Sequence, residues 1–204
     1  MLPRGLPRTV WVLAAVSFLN DTASEMIAPL LPLFLTLTLG AGPAIVGLIE
    51  GAAEAATSVL KLAAGRLTDR GVDRRKLVVG GYALANVARP LLGVAGSWAQ
   101  VLTLRVADRI GKGLRSAPRD ALLAASVAPQ VRGRAFGVHR SADHLGAMVG
   151  PLLAAALLAT GFDVREVFFA AGVLGALTIA TVWLGLKSAA YETAVVVPTE
   201  RAPL

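Results

Sequence analysis

Six apolar runs, each long enough to cross a lipid bilayer, follow one another along the sequence. An α-helix needs about 20 residues to cross the hydrocarbon core, which is about 30 Å thick. The chain is 55% hydrophobic and has a mean hydropathy of +0.67, which is typical of a membrane protein. We therefore predict an all-α membrane protein whose six transmembrane helices, numbered in chain order, lie at residues 9–37, 44–67, 76–95, 97–125, 134–159 and 166–186.

These helices are expected to form one transmembrane domain at residues 1–187, followed by a flexible cytoplasmic tail at residues 188–204. The first run is too long for the apolar core of a cleaved secretion signal, so we interpret it as a retained helix. Helices 1 and 4 are longer than a simple span requires. Pro29, Pro32 and Pro118 predict kinks near their ends.

The basic residues between the apolar runs indicate the orientation of the chain. Lysine and arginine are concentrated in the segments on the side of the amino terminus, whereas the opposite loops hold only Arg165. Positively charged loops stay in the cytoplasm. We therefore predict a multi-pass protein of the cell inner (cytoplasmic) membrane with both termini in the cytoplasm.

Several classes of function do not fit the sequence. Without cysteine, disulfide bridges and thiolate metal sites are excluded. The net charge of +7 would suit nucleic acid in a soluble domain, but the six apolar runs argue against that partner. The stretch "GKG" at 111–113 lacks the spacing of a phosphate-binding loop. We expect no enzyme, no catalytic residue, no cofactor and no metal; the expected partners include the lipid bilayer, a small-molecule substrate and protons.

Charged side chains inside the predicted spans are the main functional signal. A charge at the bilayer centre costs at least about 2.5–3.5 kcal/mol, so these side chains must face an interior and pair. In helix 2 the spacing places Glu50, Glu54 and Lys61 on one face, beside a stripe of Gly47 and Gly51 that would allow close helix packing. The candidate substrate and proton path consists of Asn20, Asp21, Glu25, Glu50, Glu54, Arg89, Arg105, Asp108, Arg109 and Asp143.

The helical rise predicts the depth of these groups. At about 1.5 Å per residue, one layer holds Glu50, Arg89 and Arg105, and a deeper layer holds Asp21, Glu54, Asp108, Arg109 and Asp143. The charged stretch 105–120 is expected to line the interior at its outer end and to form a cytoplasmic loop at its inner end. Taken singly, each residue is explained equally well as part of a structural salt bridge. The whole set favours a water-filled path, because buried ion pairs stabilise poorly compared with apolar contacts.

Three stretches resemble motifs of one transporter family. "GRLTDRGVDRRK" (65–76) is similar to the loop signature of the major facilitator superfamily, with Asp73 in the place of the second glycine and one extra residue. Arg105, followed by Gly111 and Gly113, is similar to the family's helix-4 pattern, and "GAMVGP" (146–151) to its helix-5 antiporter signature. The matching positions are Gly65, Asp69, Arg70, Arg74 and Arg75 in the loop and Gly146, Gly150 and Pro151 in helix 5.

The resemblance implies the amino-terminal six-helix half of a major facilitator fold, built as a 3+3 inverted repeat. It also implies transport by alternating access, with the loop as a gate latch and the helix-5 glycines as a tight packing site that limits leak. Asp21 lies in the polar stretch "NDTASEM" (20–26). It is the first candidate for a proton carrier, because a carboxyl group at low dielectric readily takes up a proton.

The expected partner follows from the count of helices. A facilitator has two six-helix halves, and six helices cannot enclose a pathway alone. We therefore expect a homodimeric half-size transporter, proton-coupled and working by efflux or antiport on a small polar or amphipathic solute. Two alternatives remain open: a heterodimer with a separately encoded carboxy-terminal half, and a non-transporting remnant or regulatory membrane module.

Overall fold

The computed structural model describes residues 5–195, with side chains through residue 186. Six long helices account for most of that range, as the apolar runs predict. They are α1 (Arg8–Ile27), α2 (Pro43–Asp69), α3 (Arg74–Leu91), α4 (Trp98–Ala125), α5 (Arg132–Ala159) and α6 (Val164–Val195).

The prolines act differently in the two long predicted helices. The α-helix of α1 ends at Ile27, and a short helical turn Leu30–Leu33 and a π-helical turn Phe34–Thr38 continue the run. Pro29 and Pro32 lack the N–H that a continuous helix needs, which explains the interruption. By contrast, the α-helix of α4 continues through Pro118 to Ala125.

The last helix is longer than predicted, while the domain boundary at residue 187 stays a prediction. Helix α6 continues past residue 187 to Val195. Residues 196–204 lie outside the described residues, and the flexibility and cytoplasmic location of the tail stay predictions.

Helix packing reveals an internal repeat. The helices pack side by side in the order α5, α1, α6, α3, α4, α2. Exchanging the first three helices with the last three gives the same order read backwards. Since each repeat has three helices, α4 starts on the side opposite to α1, so the repeats are inverted. The fold is the predicted 3+3 inverted repeat, with α2 and α5 at the two edges. Helices α1 and α4 have equivalent positions and contact more of the other helices than any other helix does, so we call them the central helices.

Glycine allows the closest approach between α3 and α4. A Cβ added at Gly81 would lie 2.6 Å from the backbone O of Gly111, and one added at Gly111 would lie 2.5 Å from the O of Gly81. Those distances are too short for any side chain, so both positions require glycine for this packing.

The glycine stripe predicted on α2 does not serve this purpose. Gly47 and Gly51 are exposed, and an added Cβ would meet nothing within 4 Å in the described part of the chain. Helix α2 packs on α4 through its buried face, which includes Ala53 and Thr57.

Large apolar side chains cover the outside of the bundle, as expected for contact with lipid. They include Val59 and Leu62 on α2, Leu152 on α5 and Val173 on α6. Four helices of the described chain are long and apolar enough to cross a membrane: Pro43–Asp69, Arg74–Val94, Pro129–Ala159 and Val164–Leu186. The two central helices, α1 and α4, fall outside this group, and they carry much of the polar site described next.

Candidate functional site

An arginine on α3 is the centre of a buried polar network that joins three helices. Arg89 Nε donates to Asp108 Oδ1 on α4 at 3.0 Å, and each side chain is only 4% exposed. Arg89 Nη1 donates to Asn20 Oδ1 on α1 at 3.0 Å and to Asn86 Oδ1 at 2.7 Å. The guanidinium therefore has partners on α1, α3 and α4, as burial of a charge requires.

A second ion pair joins α4 to the edge helix α2. Arg105 Nε and Nη2 donate to the two carboxylate oxygens of Glu50 at 3.0 and 3.2 Å. This bidentate geometry is the strongest form of such a pair. The Arg105 side chain is 5% exposed and that of Glu50 is 43% exposed, so the pair lies at the rim of the buried network.

Asp108 connects the two pairs and is surrounded by positive charge. Its Oδ2 lies 3.7 Å from Arg105 Nη1 and 3.9 Å from Arg109 Nε, in addition to the bond from Arg89. We call the set of Asn20, Glu50, Asn86, Arg89, Arg105, Asp108 and Arg109 the central network. With Glu50 it contains three arginines and two carboxylates, so it retains one excess positive charge when all are ionised.

A separate polar cluster joins α1 to α5. His139 is fully buried, and its Nε2 lies 2.9 Å from Ser17 Oγ. Its Nδ1 lies 3.6 Å from Asp143 Oδ2, which also lies 3.5 Å from Arg140 Nη1. Arg119 Nη1 on α4 donates to the same Ser17 Oγ at 3.4 Å. This cluster therefore connects both central helices to α5.

A polar cavity of about 270 Å³ lies beside this cluster. Four helices contribute to its wall. We call it the basic cavity; it is lined by Asp21 of α1, Lys61 of α2, Lys112, Arg115, Ser116, Arg119 and Asp120 of α4, and Arg140, Asp143, His144 and Ala147 of α5.

A family model described as Major Facilitator Superfamily matches residues 13–203. The chain belongs to the major facilitator superfamily. This membership agrees with the six-helix bundle, the inverted repeat and the charged interior of the two central helices.

Similar proteins extend the comparison. An uncharacterized MFS-type transporter from Methanocaldococcus jannaschii is 36% identical over 86% of this chain and 44% of its own length. A multidrug resistance protein MdtH from Aeromonas hydrophila is 30% identical over 75% of this chain and 38% of its own length. A crystal structure of the peptide transporter POT in complex with alafosfalin has a TM-score of 0.81 at 18% identity, covering 92% of this chain and 40% of that chain. The chain thus spans less than half the length of these relatives.

The loop of this facilitator that resembles the family signature makes a tight turn. Asp69 ends α2, Arg70 follows it, and Gly71 has a φ of +85°, a conformation that favours glycine. Asp73 caps α3, because its Oδ1 accepts a hydrogen bond from Arg75 N at 2.9 Å. The aspartate in the place of the signature's second glycine therefore has a structural role here.

The other loop residues take part in few close contacts. Asp69, Arg70 and Arg74 are exposed, and Gly65, although only half-buried, would allow a Cβ without any contact within 4 Å in the described chain. Arg75 Nη2 donates to the backbone O of Trp183 at 3.5 Å, which connects the start of α3 to α6.

The two glycines of the helix-5 stretch lie directly against α1. A Cβ at Gly146 would lie 2.5 Å from Phe18 O, and one at Gly150 would lie 2.6 Å from Thr22 O. Pro151 follows inside α5. The contact brings the backbones of the central helix and the edge helix together.

The predicted path residues fall into three groups. Asn20, Glu50, Arg89, Arg105, Asp108 and Arg109 meet in the central network. Asp21 and Asp143 lie instead in the basic cavity, although Asn20 Nδ2 donates to Asp21 Oδ1 at 2.8 Å and so connects the two sites. Glu25 is half-buried on α1 and Glu54 is exposed on α2, and neither lines the basic cavity or bonds within the network.

The sequence-based prediction missed part of the site, and its view of the inner end of stretch 105–120 was wrong. That end continues α4 rather than forming a loop, and Arg115 is only 3% exposed with its Cζ 4.4 Å above the Tyr82 ring. A spacing of three and four residues from Arg105 to Arg119 was the available signal. Asn86 precedes Arg89 by three residues and shares its face, but a neutral amide is inconspicuous in a charge pattern.

Proposed function

We propose that the protein is a secondary active transporter that moves a small polar or amphipathic solute by alternating access. The basic cavity carries the proposal, because ionisable side chains from four helices converge on one water-accessible space within a membrane bundle. Ionisable groups at such depth are costly unless they serve a substrate or ion pathway. The similarity to a protein named for multidrug resistance supports efflux or antiport as the direction.

Asp21 is the proposed proton carrier. It lies in the cavity wall, and Asn20 connects it to Arg89 by two successive hydrogen bonds of 2.8 and 3.0 Å. Protonation of Asp21 would weaken the first of these bonds, which is charge-assisted only while the carboxylate is ionised. Protonation in the cavity would thereby change the hydrogen bonding of the central network through Asn20, without any contact between Asp21 and an arginine.

A second six-helix unit is proposed to complete the pathway. Glu54, Lys61, Lys112, Arg140 and His144 are all exposed on helices of this bundle. They would face hydrocarbon unless another polar surface covers them. A second copy of the chain, related by a two-fold axis, would offer a complementary position for each edge helix. We propose this homodimer, with both termini on the cytoplasmic side of the inner membrane; a separate six-helix half is the alternative.

Replacing Asp21 tests the proposed coupling. Purified protein is reconstituted into liposomes with an imposed pH gradient, and the accumulation of a panel of labelled anionic, cationic and zwitterionic solutes is measured. Asp21→Asn should abolish gradient-driven accumulation of a transported solute while exchange without a gradient continues. Asp163→Asn makes the same chemical change at an exposed position at the other end of the bundle, where Asn still caps a helix.

Asp163→Asn should leave coupling unchanged. Full gradient-driven accumulation in Asp21→Asn would contradict the role of Asp21. A folded protein that moves no solute of the panel, with or without a gradient, would contradict transport itself.

A further inference from the structure

We propose that the basic cavity binds the anionic group of a small solute, a carboxylate or a phosphate. This inference rests on the proposed transport function and names its substrate class. The charges, the hydrogen bonds and the shape of the cavity wall support it.

The cavity wall has more positive than negative charge. It contains five lysine and arginine side chains and three aspartates. Asp120 is paired with Arg119 at 3.0 Å and Asp143 lies 3.5 Å from Arg140, so two of the aspartates already have cationic partners. Within the described residues, Lys61, Lys112 and Arg115 have no carboxylate within 4.0 Å. With Asp21 as the remaining carboxylate, the wall retains two positive charges.

Arg115 supplies a buried donor that needs an acceptor. Its side chain is held over the Tyr82 ring and is almost fully buried. Its Nη1 is buried without any hydrogen-bond partner among the described residues. A buried guanidinium donor without an acceptor is unfavourable. Arg115 lines the cavity, so a small shift of its guanidinium toward the cavity would let an anion oxygen accept from Nη1.

The positions of the other cations suit an anion between helices. Lys112, Arg115 and Arg119 follow one another along α4 at spacings of three and four residues, while Lys61 and Arg140 approach from α2 and α5. Guanidinium groups bind carboxylate and phosphate oxygens in a bidentate manner, and lysine adds an adjustable charge. The volume of about 270 Å³ fits a small anion or the anionic group of a longer molecule.

The same chemistry occurs in a lipid headgroup, so the test must separate the two sources. The full-length chain is placed in nanodiscs of zwitterionic lipid at constant chloride. Binding of inorganic phosphate and of succinate is measured by isothermal titration calorimetry. In a parallel experiment, association with vesicles containing phosphatidylglycerol is measured.

We expect saturable binding of at least one soluble anion. Lys112 is exposed, so Lys112→Gln should fold normally and weaken binding by about tenfold or more, the effect of one lost charge-assisted hydrogen bond. Arg115→Gln should weaken binding further, and its thermal unfolding is recorded because this side chain is buried. Lys76→Gln is the matched control, since Lys76 is exposed on α3 outside the cavity, and it should bind as the unmodified protein does.

Two results would overturn the inference: binding to lipid vesicles alone, or soluble-anion binding that Lys112→Gln leaves unchanged. The outcome is distinguishable from failure of the proposed function. Transport of a cationic or neutral solute without anion binding would remove the inference and keep the function. Anion binding by a protein that transports nothing would keep the inferred binding site and contradict the proposed transport function.

Discussion

At the scale of single residues, Asp108 has the most demanding position in the protein. Three guanidinium groups surround its carboxylate at 3.0, 3.7 and 3.9 Å, and its side chain is 4% exposed. Loss of its charge would leave Arg89 and Arg105 buried with less compensation. Removing one partner of a buried pair is far more costly than removing one from a surface pair.

Asp108→Asn should therefore destabilise the folded protein by about 3–5 kcal/mol. The control on the same helix is Asp120→Asn, because the Asp120 side chain is 36% exposed beside Arg119. That change should cost less than about 1 kcal/mol. Unfolding in mixed micelles with increasing dodecyl sulfate measures both; equal effects would contradict the structural importance of the network.

The residue scale also explains how far sequence reasoning reached into the site. Helix rise converts residue number into depth, so Glu50 and Arg105 were expected at one level, and they form a bidentate pair. Depth does not specify the direction in which a side chain points around its helix. Asp21 and Asp108 were expected in one layer because their depths match, but their side chains reach different sites. Asp21 lines the basic cavity, and Asp108 belongs to the central network.

At the scale of helices, glycine determines which pairs approach closely. The α1–α5 contact depends on Gly146 and Gly150, and the α3–α4 contact on Gly81 and Gly111. Two glycines four residues apart do not by themselves predict such a contact, because Gly47 and Gly51 have the same spacing as Gly146 and Gly150 but remain exposed. The six helices were predictable from hydropathy. Which helices become neighbours depends on the shapes of their packing surfaces, and hydropathy along the sequence does not describe these shapes.

Gly146→Ala should separate α1 from α5, since its Cβ would lie 2.5 Å from Phe18 O. Overpacking of this kind costs about 1–3 kcal/mol. On the same helix, an added Cβ at Gly137 meets nothing within 4 Å in the described chain, so Gly137→Ala should leave stability unchanged or increase it. Dodecyl sulfate unfolding distinguishes the two, and equal stability of the variants would argue against a tight α1–α5 contact.

At the scale of the whole molecule, exposed charges on three helices are the basis for the proposed second unit. The exposed Lys61, Lys112 and Arg140 belong to three helices of the bundle, and lipid cannot solvate them at that depth. The packing order of the six helices within one unit follows its internal inverted repeat. In the proposed function, a second unit completes the pathway.

If that second unit is another copy, native mass spectrometry from nanodiscs should show an assembly of two 21.0 kDa chains. Dissociation in dodecyl sulfate to a single chain provides the control for covalent artefacts. A single chain that nevertheless transports solute would contradict the need for any second unit. A dimer that transports would favour the homodimer over a separately supplied half.

The bonds of Arg89 to Asn20, Asn86 and Asp108 have a mechanical consequence. Sliding α1, α3 or α4 past one another would break hydrogen bonds to a buried cation, so these helices form a stiff block. Each edge helix, α2 or α5, packs mainly on one neighbour. Helix α2 is joined to α4 by the Glu50–Arg105 ion pair and by a hydrogen bond from Thr57 Oγ1 to Arg109 O at 3.4 Å. In the proposed transport function, bending should therefore concentrate in the two edge helices, while the block stays rigid.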